Sequence, residues 1–77
     1  MSVSNGQVPL RESYDPEADA LYLQFYEGSI LRQVEVTPEI IVDEDADHRI
    51  IGIEILYPHR NWSIAQSWLA RHGLIRS

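Results

Sequence analysis

The sequence predicts an α+β domain in which an antiparallel β-meander of four to five strands is covered on one face by a C-terminal α-helix. Residues 20–26 and 50–56 alternate apolar side chains with other residues at the period of two that is typical of strands. Residues 64–72 instead repeat apolar side chains at helical spacing. Short segments rich in Pro, Gly and Asp separate the strands, which favours antiparallel neighbours.

Turn-forming residues bound each predicted strand. Asp15 and Pro16 begin a turn in which Asp15 is expected to accept hydrogen bonds from the backbone. The segment Glu27–Ser29 has the composition of a hairpin turn, which predicts that the second and third strands are neighbours. Gly52 inside the last strand indicates a bulge or a close approach of the backbone. The predicted strands are Val8–Tyr14, Ala20–Tyr26, Ile30–Thr37, Ile40–Val42 and Ile50–Leu56.

The C-terminal helix is predicted to follow Pro58. Two alternative N-caps remain open, namely Asn61, or Ser63 in a capping box with Gln66. Gly73 is expected to end the helix. The apolar stripe predicted for the helix consists of Ile64, Ala65, Trp68, Leu69 and His72.

Both faces of the predicted sheet carry apolar side chains. The face beneath the helix is expected to contain Leu21, Leu23, Phe25, Val34, Val36, Ile51, Ile53 and Ile55. Because one helix covers only one face of such a sheet, the second face is expected to be buried in a homodimer, either by pairing of these faces or by exchange of the helix between the two copies. The residues predicted to form this interaction surface are Tyr22, Tyr26, Ile41, Ile50 and Leu56, with Leu31 beside them.

Length and composition exclude several classes of protein. The 77 residues suffice for one domain, with residues 1–7 expected as a flexible leader and residues 8–77 as the folded part. A formal net charge of −6 argues against nucleic acid as a partner. No apolar run reaches the ~18–20 residues that a membrane span needs. Residues 1–7 have neither the positive start nor the apolar stretch of a signal peptide, so the protein is predicted to be cytoplasmic. The lack of Cys fits a reducing compartment, and no cofactor is predicted.

The acidic stretch after the fourth strand is the sharpest candidate for chemistry. Positions 1, 3, 5 and 12 of a calcium-binding EF-hand loop are matched by Asp43, Asp45, Asp47 and Glu54. However, His48 stands where that loop requires Gly, and the flanking segments are predicted strands rather than helices. The alternative is a solvated acidic hairpin tip, with Glu54 on the outer face of the last strand.

The remaining titratable residues give weaker patterns. Asp15, Glu17 and Asp19 could hold a cation or act as an acid–base pair, but carboxylates in a turn more often bind backbone N–H groups. The three histidines lack the spacing of metal ligands, and no nucleophile stands beside a base. No catalytic residue is therefore predicted.

Two motifs resemble those of a widespread bacterial family of small uncharacterised proteins. Residues 14–22, YDPEADALY, are similar to that family's signature Y-D-x-x-x-D-x-L-Y. Residues 42–56, VDEDADHRIIGIEIL, are similar to a second signature, D-E-D-G-R-h-h-G-I-E-I-L, in which h is apolar. The chain departs from the second signature at residues 46–48, which stand in place of a single Gly. The family is a domain of unknown function, so the resemblance implies no catalytic residues.

Two classes of function agree with these observations. The first is a homodimeric protein-interaction module without catalytic activity, which binds another protein through its acidic loop or its aromatic face. The alternative is a protein that binds a small ligand or a divalent metal. Its site would be the acidic loop, or the dimer seam near Tyr14, Tyr22 and His59.

Overall fold

The computed structural model describes residues 9–75, and the predicted leader at residues 1–7 lies outside this range. Within residues 9–75, five antiparallel strands form one sheet and a C-terminal helix packs against it, which confirms the predicted α+β class. The elements are β1 (Arg11–Asp15), β2 (Ala20–Gln24), β3 (Arg32–Thr37), β4 (Ile40–Glu44), β5 (Ile50–Leu56) and α1 (Pro58–Arg71). No helix in this part of the chain has the length and apolar content that a membrane crossing requires.

The strand order is β1-β2-β5-β4-β3, so β2 and β3 are not neighbours. The hairpin predicted at Glu27–Ser29 was therefore wrong. β5 occupies the centre because it is the longest strand and its buried isoleucines are shielded by neighbours on both edges. The chain after β2 crosses the ends of β5 and β4 instead. There the N–H of Phe25 donates to Ile51 O at 2.7 Å, and that of Leu31 donates to Glu44 O at 2.8 Å.

Strand register determines which residues face α1. Two cross-strand rows on this side contain Leu21, Ile55 and Ile40, and Leu23, Ile53 and Val42. Ile40 and Val42 are fully buried, although the sequence did not predict them to be in the core because β4 reads as the start of an acidic loop. Val34 lies opposite Val42 but is 39% exposed. Its predicted core position was wrong because α1 packs mainly over β5 and leaves the edge strand β3 less covered.

A bulge interrupts the alternation of β5 at Ile51 and Gly52. Asp43 pairs with Gly52 and Glu44 pairs with Ile50, which leaves Ile51 as the additional residue. The bulge predicted from Gly52 is thereby confirmed. Because a bulge shifts the phase of the strand, Ile50 packs against the core and not on the outer face as predicted.

The alternation of β2 also ends early. The N–H groups of Phe25 and Tyr26 both donate to the carbonyl oxygen of Ile51, so the two residues do not alternate across the sheet in the regular way. Tyr26 packs against the core, and the Arg49 guanidinium lies 5.2 Å from the centroid of its ring. The predicted outward position of Tyr26 was therefore wrong.

The helix α1 begins at Pro58, and neither Asn61 nor Ser63 is its N-cap. Tyr57 is the cap residue, with a φ of 50° and no side-chain capping bond, and Pro58 lacks the N–H that would otherwise need a partner. The buried residues of α1 are Asn61, Ala65 and Leu69. Ile64 is 48% exposed, so its predicted core position was wrong. The stripe that contacts the sheet begins one turn earlier than predicted because the helix itself begins earlier.

Candidate functional site

The side of the sheet that faces away from α1, termed the open face, mixes polar and apolar side chains. Its first central row contains Ser13, Tyr22, Glu54, Ile41 and Glu35, and its second contains Arg11, Gln24, Gly52, Asp43 and Gln33. Tyr22 is the aromatic residue of these rows and is half-buried. Asp43 is 6% exposed, although it lies on the face that no helix covers.

Gly52 lets the side chain of Tyr22 pass from the first row to the second. A Cβ atom at Gly52 would lie 2.5 Å from Tyr22 Cζ and 2.9 Å from the carbonyl oxygen of Leu23, both too close for a real contact. Because the glycine has no side chain, the phenol ring lies across β5 and reaches β4. The nearby carbonyl oxygen of Leu23 is the close backbone approach predicted from Gly52, whereas the crossing of the Tyr22 ring was not predicted.

Asp43 accepts hydrogen bonds from side chains on two other strands. Its Oδ2 accepts from the Tyr22 hydroxyl at 2.9 Å, and its Oδ1 accepts from Gln33 Nε2 at 2.8 Å. These residues form the Tyr22–Asp43–Gln33 cluster, which joins β2, β4 and β3. Across residues 9–75, no buried side-chain nitrogen or oxygen lacks a hydrogen-bond partner. Hydrogen bonds to a charged acceptor thus compensate for the burial of the Asp43 carboxylate.

Tyr22 is a hydrogen-bond donor in this cluster and not a base. Its burial raises the pKa of its hydroxyl, and so do the hydrogen bond to Asp43 and the negative charges of Asp43 and Glu54. The phenol therefore stays neutral at physiological pH. The arrangement favours the rigid presentation of an aromatic ring over proton transfer.

The acidic loop between β4 and β5 is stabilised by hydrogen bonds of its own. Asp45 Oδ1 accepts from the backbone N–H of Asp47 at 2.9 Å and from that of Arg49 at 2.8 Å. The bond from Arg49 N–H is the main cause that lowers the pKa of Asp45. His48 adopts a φ of 65°, at the position where an EF-hand loop has Gly. Asp45 therefore caps a tight turn.

The four predicted metal ligands lie in three different surroundings. Asp43 belongs to the buried cluster, Asp45 and Asp47 belong to the loop, and Glu54 is exposed on the open face of β5. Among residues 9–75, no group of three or more His, Asp or Glu side chains is placed to hold a metal ion. The calcium site remains a prediction from spacing.

The five predicted interaction residues divide between two environments. Tyr22, Ile41 and Leu56 are half-buried on the open face, whereas Tyr26 and Ile50 pack against the core. Glu54 of β5 lies between Tyr22 and Ile41 in the cross-strand row. The open face is therefore less apolar than the sequence predicted.

A second polar network joins α1 to one end of the sheet. The nearly buried Asn61 donates through Nδ2 to Glu39 Oε1 and to Leu56 O, both at 2.8 Å, and Arg60 donates to Glu39 Oε2 at 2.9 Å. The bond from Asn61 is the chief cause that lowers the pKa of Glu39. Sequence reasoning missed this network. The sequence signal that could have predicted it is Asn61, a polar residue four positions before Ala65 and therefore on the same buried side of the helix.

The three residues predicted to line a ligand site at the dimer seam, Tyr14, Tyr22 and His59, do not lie together within one chain. Tyr14 pairs with Leu21, which puts it on the α1 side of the sheet, and its hydroxyl donates to Asp19 at 2.6 Å. That hydrogen bond is the main cause that raises the pKa of Tyr14. Tyr22 lies on the opposite face, and His59 is exposed in the first turn of α1.

The fold and its polar cluster define a class of protein, namely a small α+β domain with a nearly buried carboxylate on the uncovered side of its sheet. A family model described as "Protein of unknown function (DUF2283)" matches residues 12–57. Because the match covers more than half of the chain, the protein belongs to this family. The matched range includes the complete Tyr22–Asp43–Gln33 cluster and both motifs noted in the sequence, and it ends just before α1. No similar protein was found among curated proteins or among solved structures.

Proposed function

We propose that the protein is a homodimeric interaction module without catalytic activity, and that its open face binds another protein. The observation that carries the proposal is an aromatic ring on the open face that is already fixed by the Tyr22–Asp43–Gln33 cluster. A fixed ring loses little conformational entropy when it binds, and rigid aromatic side chains are common anchors of protein interfaces.

The charge of the open face supports a basic partner surface. Glu35 and Glu54 lie in the first row of the open face, and the second row contains Asp43 and Arg11, so the face is acidic overall. Ile41 and Leu56 add apolar contact area near the tyrosine ring. A partner that presents Arg or Lys around an apolar centre is complementary to this arrangement.

A protein that binds a divalent metal or a small ligand is the alternative. It rests on the spacing of Asp43, Asp45, Asp47 and Glu54 in the sequence. The two functions differ in their effect on stability, because a ligand that binds only the folded chain raises Tm as its concentration increases.

Light scattering and thermal denaturation separate these functions. With increasing protein concentration, the scattering mass is expected to rise from one chain of 8.9 kDa to two, and a single-chain mass at every concentration would contradict the homodimer. Addition of Ca²⁺, Mg²⁺ or Mn²⁺ is expected to leave Tm unchanged. A rise of several degrees that is lost in Asp43→Asn or Asp45→Asn would favour the metal-binding alternative.

A cationic probe tests the open face. Titration with a short Arg-rich peptide, followed by backbone amide NMR shifts, is expected to perturb β2, β4 and β5 around Tyr22. Glu54→Gln is expected to weaken these shifts, whereas Glu12→Gln serves as the control because Glu12 pairs with Leu23 on the α1 side. Shifts confined to the helix, or equal losses in both variants, would contradict the assignment of the open face.

A further inference from the structure

The two edges of the sheet differ in their protection against pairing with another strand. β1 forms one edge and carries charged side chains at three of its five positions, and such charges commonly block edge pairing. β3 forms the other edge, is regular from Arg32 to Glu35 with a bulge at Val36, and carries two charged residues. One of them, Arg32, is turned back towards the acidic loop, where it donates to Asp45 O at 3.0 Å and lies 3.8 Å from Glu44.

Both edges carry exposed apolar side chains, but at β1 these are Leu10, which precedes the strand, and Tyr14, whose hydroxyl donates to Asp19. The larger group lies at or next to β3. Ile30, Leu31 and Val34 are 48%, 62% and 39% exposed. Val34 continues the cross-strand row of the fully buried Val42, so the core ends at an apolar residue that is still in contact with solvent. An apolar edge of this kind favours the addition of a further strand.

We infer that two copies of the chain pair antiparallel through β3, with a two-fold axis at Val34. This inference rests on the homodimer proposed above and specifies its interface. An axis perpendicular to the sheet keeps each face on the same side, so the valine row runs from one buried Val42 through two Val34 residues to the other Val42.

The same axis makes β3 complementary to itself. Gln33 of each copy stands opposite Glu35 of the other, which places an amide donor beside a carboxylate on both sides of the axis. Arg32 stands opposite the bulged residue Val36 at the end of the paired region, so no like charges are directly opposed in this register. This self-complementarity favours a second copy of the chain as the occupant of the edge. The product is a ten-stranded sheet, twice the five strands of one chain, with both open faces on one side and both helices on the other.

Charge introduced at the edge tests the interface. In sedimentation equilibrium, the wild-type chain and Ser13→Lys, a control at the centre of β1, are expected to dimerise equally. Val34→Lys is expected to raise the dissociation constant at least tenfold while keeping its far-UV circular dichroism. Leu31→Glu, at an exposed position outside the strand, is expected to have the same effect and covers the case in which Val34→Lys does not fold.

The outcomes distinguish the interface from the homodimer itself. A folded Val34→Lys that dimerises like the wild-type chain would overturn pairing through β3 and leave the homodimer proposal standing. A wild-type mass of one chain at all concentrations would overturn both.

A disulfide tests the register. The chain has no Cys, and side chains directly opposite in an antiparallel pair have Cβ atoms about 4.5–5.5 Å apart, close to the reach of a disulfide. Under mild oxidation, Val34→Cys is expected to form a covalent dimer at least tenfold faster than Ser13→Cys. Equal rates, or faster linkage of Ser13→Cys, would overturn the inference.

Discussion

Replacement of Tyr22 by Phe removes one oxygen atom from the open face, namely the donor to Asp43 Oδ2. Asp43 is 6% exposed, so water does not readily replace this donor, and the carboxylate keeps only its bond from Gln33. Hydrogen bonds to charged groups contribute roughly 1.5–3 kcal/mol. We therefore expect Tyr22→Phe to lower the free energy of unfolding by about 2 kcal/mol, which corresponds to a fall in Tm of roughly 8–16 °C for a domain of this size.

Urea denaturation followed by tryptophan fluorescence measures this loss. Tyr57→Phe is the matched control, because Tyr57 is 42% exposed and the variant keeps the ring that stacks with Arg60, and it is expected to cost less than about 0.5 kcal/mol. All variants are compared at one protein concentration, because the homodimer proposed above would make stability depend on concentration.

A double-mutant cycle isolates the hydrogen bond from the packing of the ring. Tyr22→Phe, Asp43→Ala and the double variant are expected to give a coupling free energy of about 1–2 kcal/mol. Strict additivity would refute the reasoning, because it would mean that the hydroxyl and the carboxylate do not stabilise each other. A Tyr22→Phe variant as stable as the control would refute it as well.

Three further predictions concern the same face, the helix junction and high pH. Gly52→Ala is expected to destabilise the chain by about 3–5 kcal/mol in urea denaturation, because its Cβ would overlap Tyr22 and Leu23 O and would also break the hydrogen bond of the cluster; a cost below about 1 kcal/mol would contradict this. Asn61→Ala is expected to cost about 2–3 kcal/mol, since one buried amide makes two hydrogen bonds that tie α1 to the sheet, whereas the neighbouring exposed Trp62→Ala should cost less. The pKa of Tyr22 is raised in the folded chain, so the neutral hydroxyl contributes fully to the free energy of unfolding below a pH of about 10. As pH rises above that value, this contribution is lost by up to about 1.4 kcal/mol per pH unit. The pKa of Tyr14 is also raised, so the measurement uses a Tyr14→Phe background. Urea denaturation between about pH 9 and 12 should then show this slope, and the further change Tyr22→Phe should abolish it.

Local periodicity predicted much of the fold. The alternation in residues 20–26 and 50–56 located β2 and β5, and helical spacing located α1. Gly52 predicted a bulge or a close backbone approach, and the structure has both, but the approach of the Tyr22 side chain was not predicted. These features depend on neighbours within a few residues, which is the range over which a sequence pattern carries information.

Strand order could not be predicted in the same way. The composition of Glu27–Ser29 indicates that the chain changes direction, but not which strand it then pairs with. β5 is inserted between β2 and β4 because its apolar residues require two neighbours, and that requirement involves the whole sheet. The phase of Ile50 and Tyr26 depends on the resulting bulge, so their faces were predicted wrongly.

The candidate site could be predicted only in part. Asp43 was interpreted as the first residue of the acidic stretch, either a calcium ligand by spacing or part of a solvated hairpin tip, but alternation within β4 places it on the open face. Its burial results from Tyr22 and Gln33, which lie 21 and 10 residues away in sequence, respectively. Such a cluster becomes visible only when the register across three strands is known.

A nearly buried carboxylate is an inefficient way to stabilise a sheet. Removing a charge from water costs several kcal/mol, and well-packed apolar side chains often stabilise a fold as well as a buried polar network or better. An apolar residue in place of Asp43 would be enough to cover β5. Gly52 would then not be needed, because no side chain would have to cross β5 to reach a carboxylate. What the Tyr22–Asp43–Gln33 cluster adds is a fixed orientation of the Tyr22 ring, because the hydrogen bond from Tyr22 of β2 to Asp43 of β4 holds the ring across β5. A fixed orientation of the ring is not required to cover the sheet. It would favour binding if the ring is part of a surface that contacts another molecule.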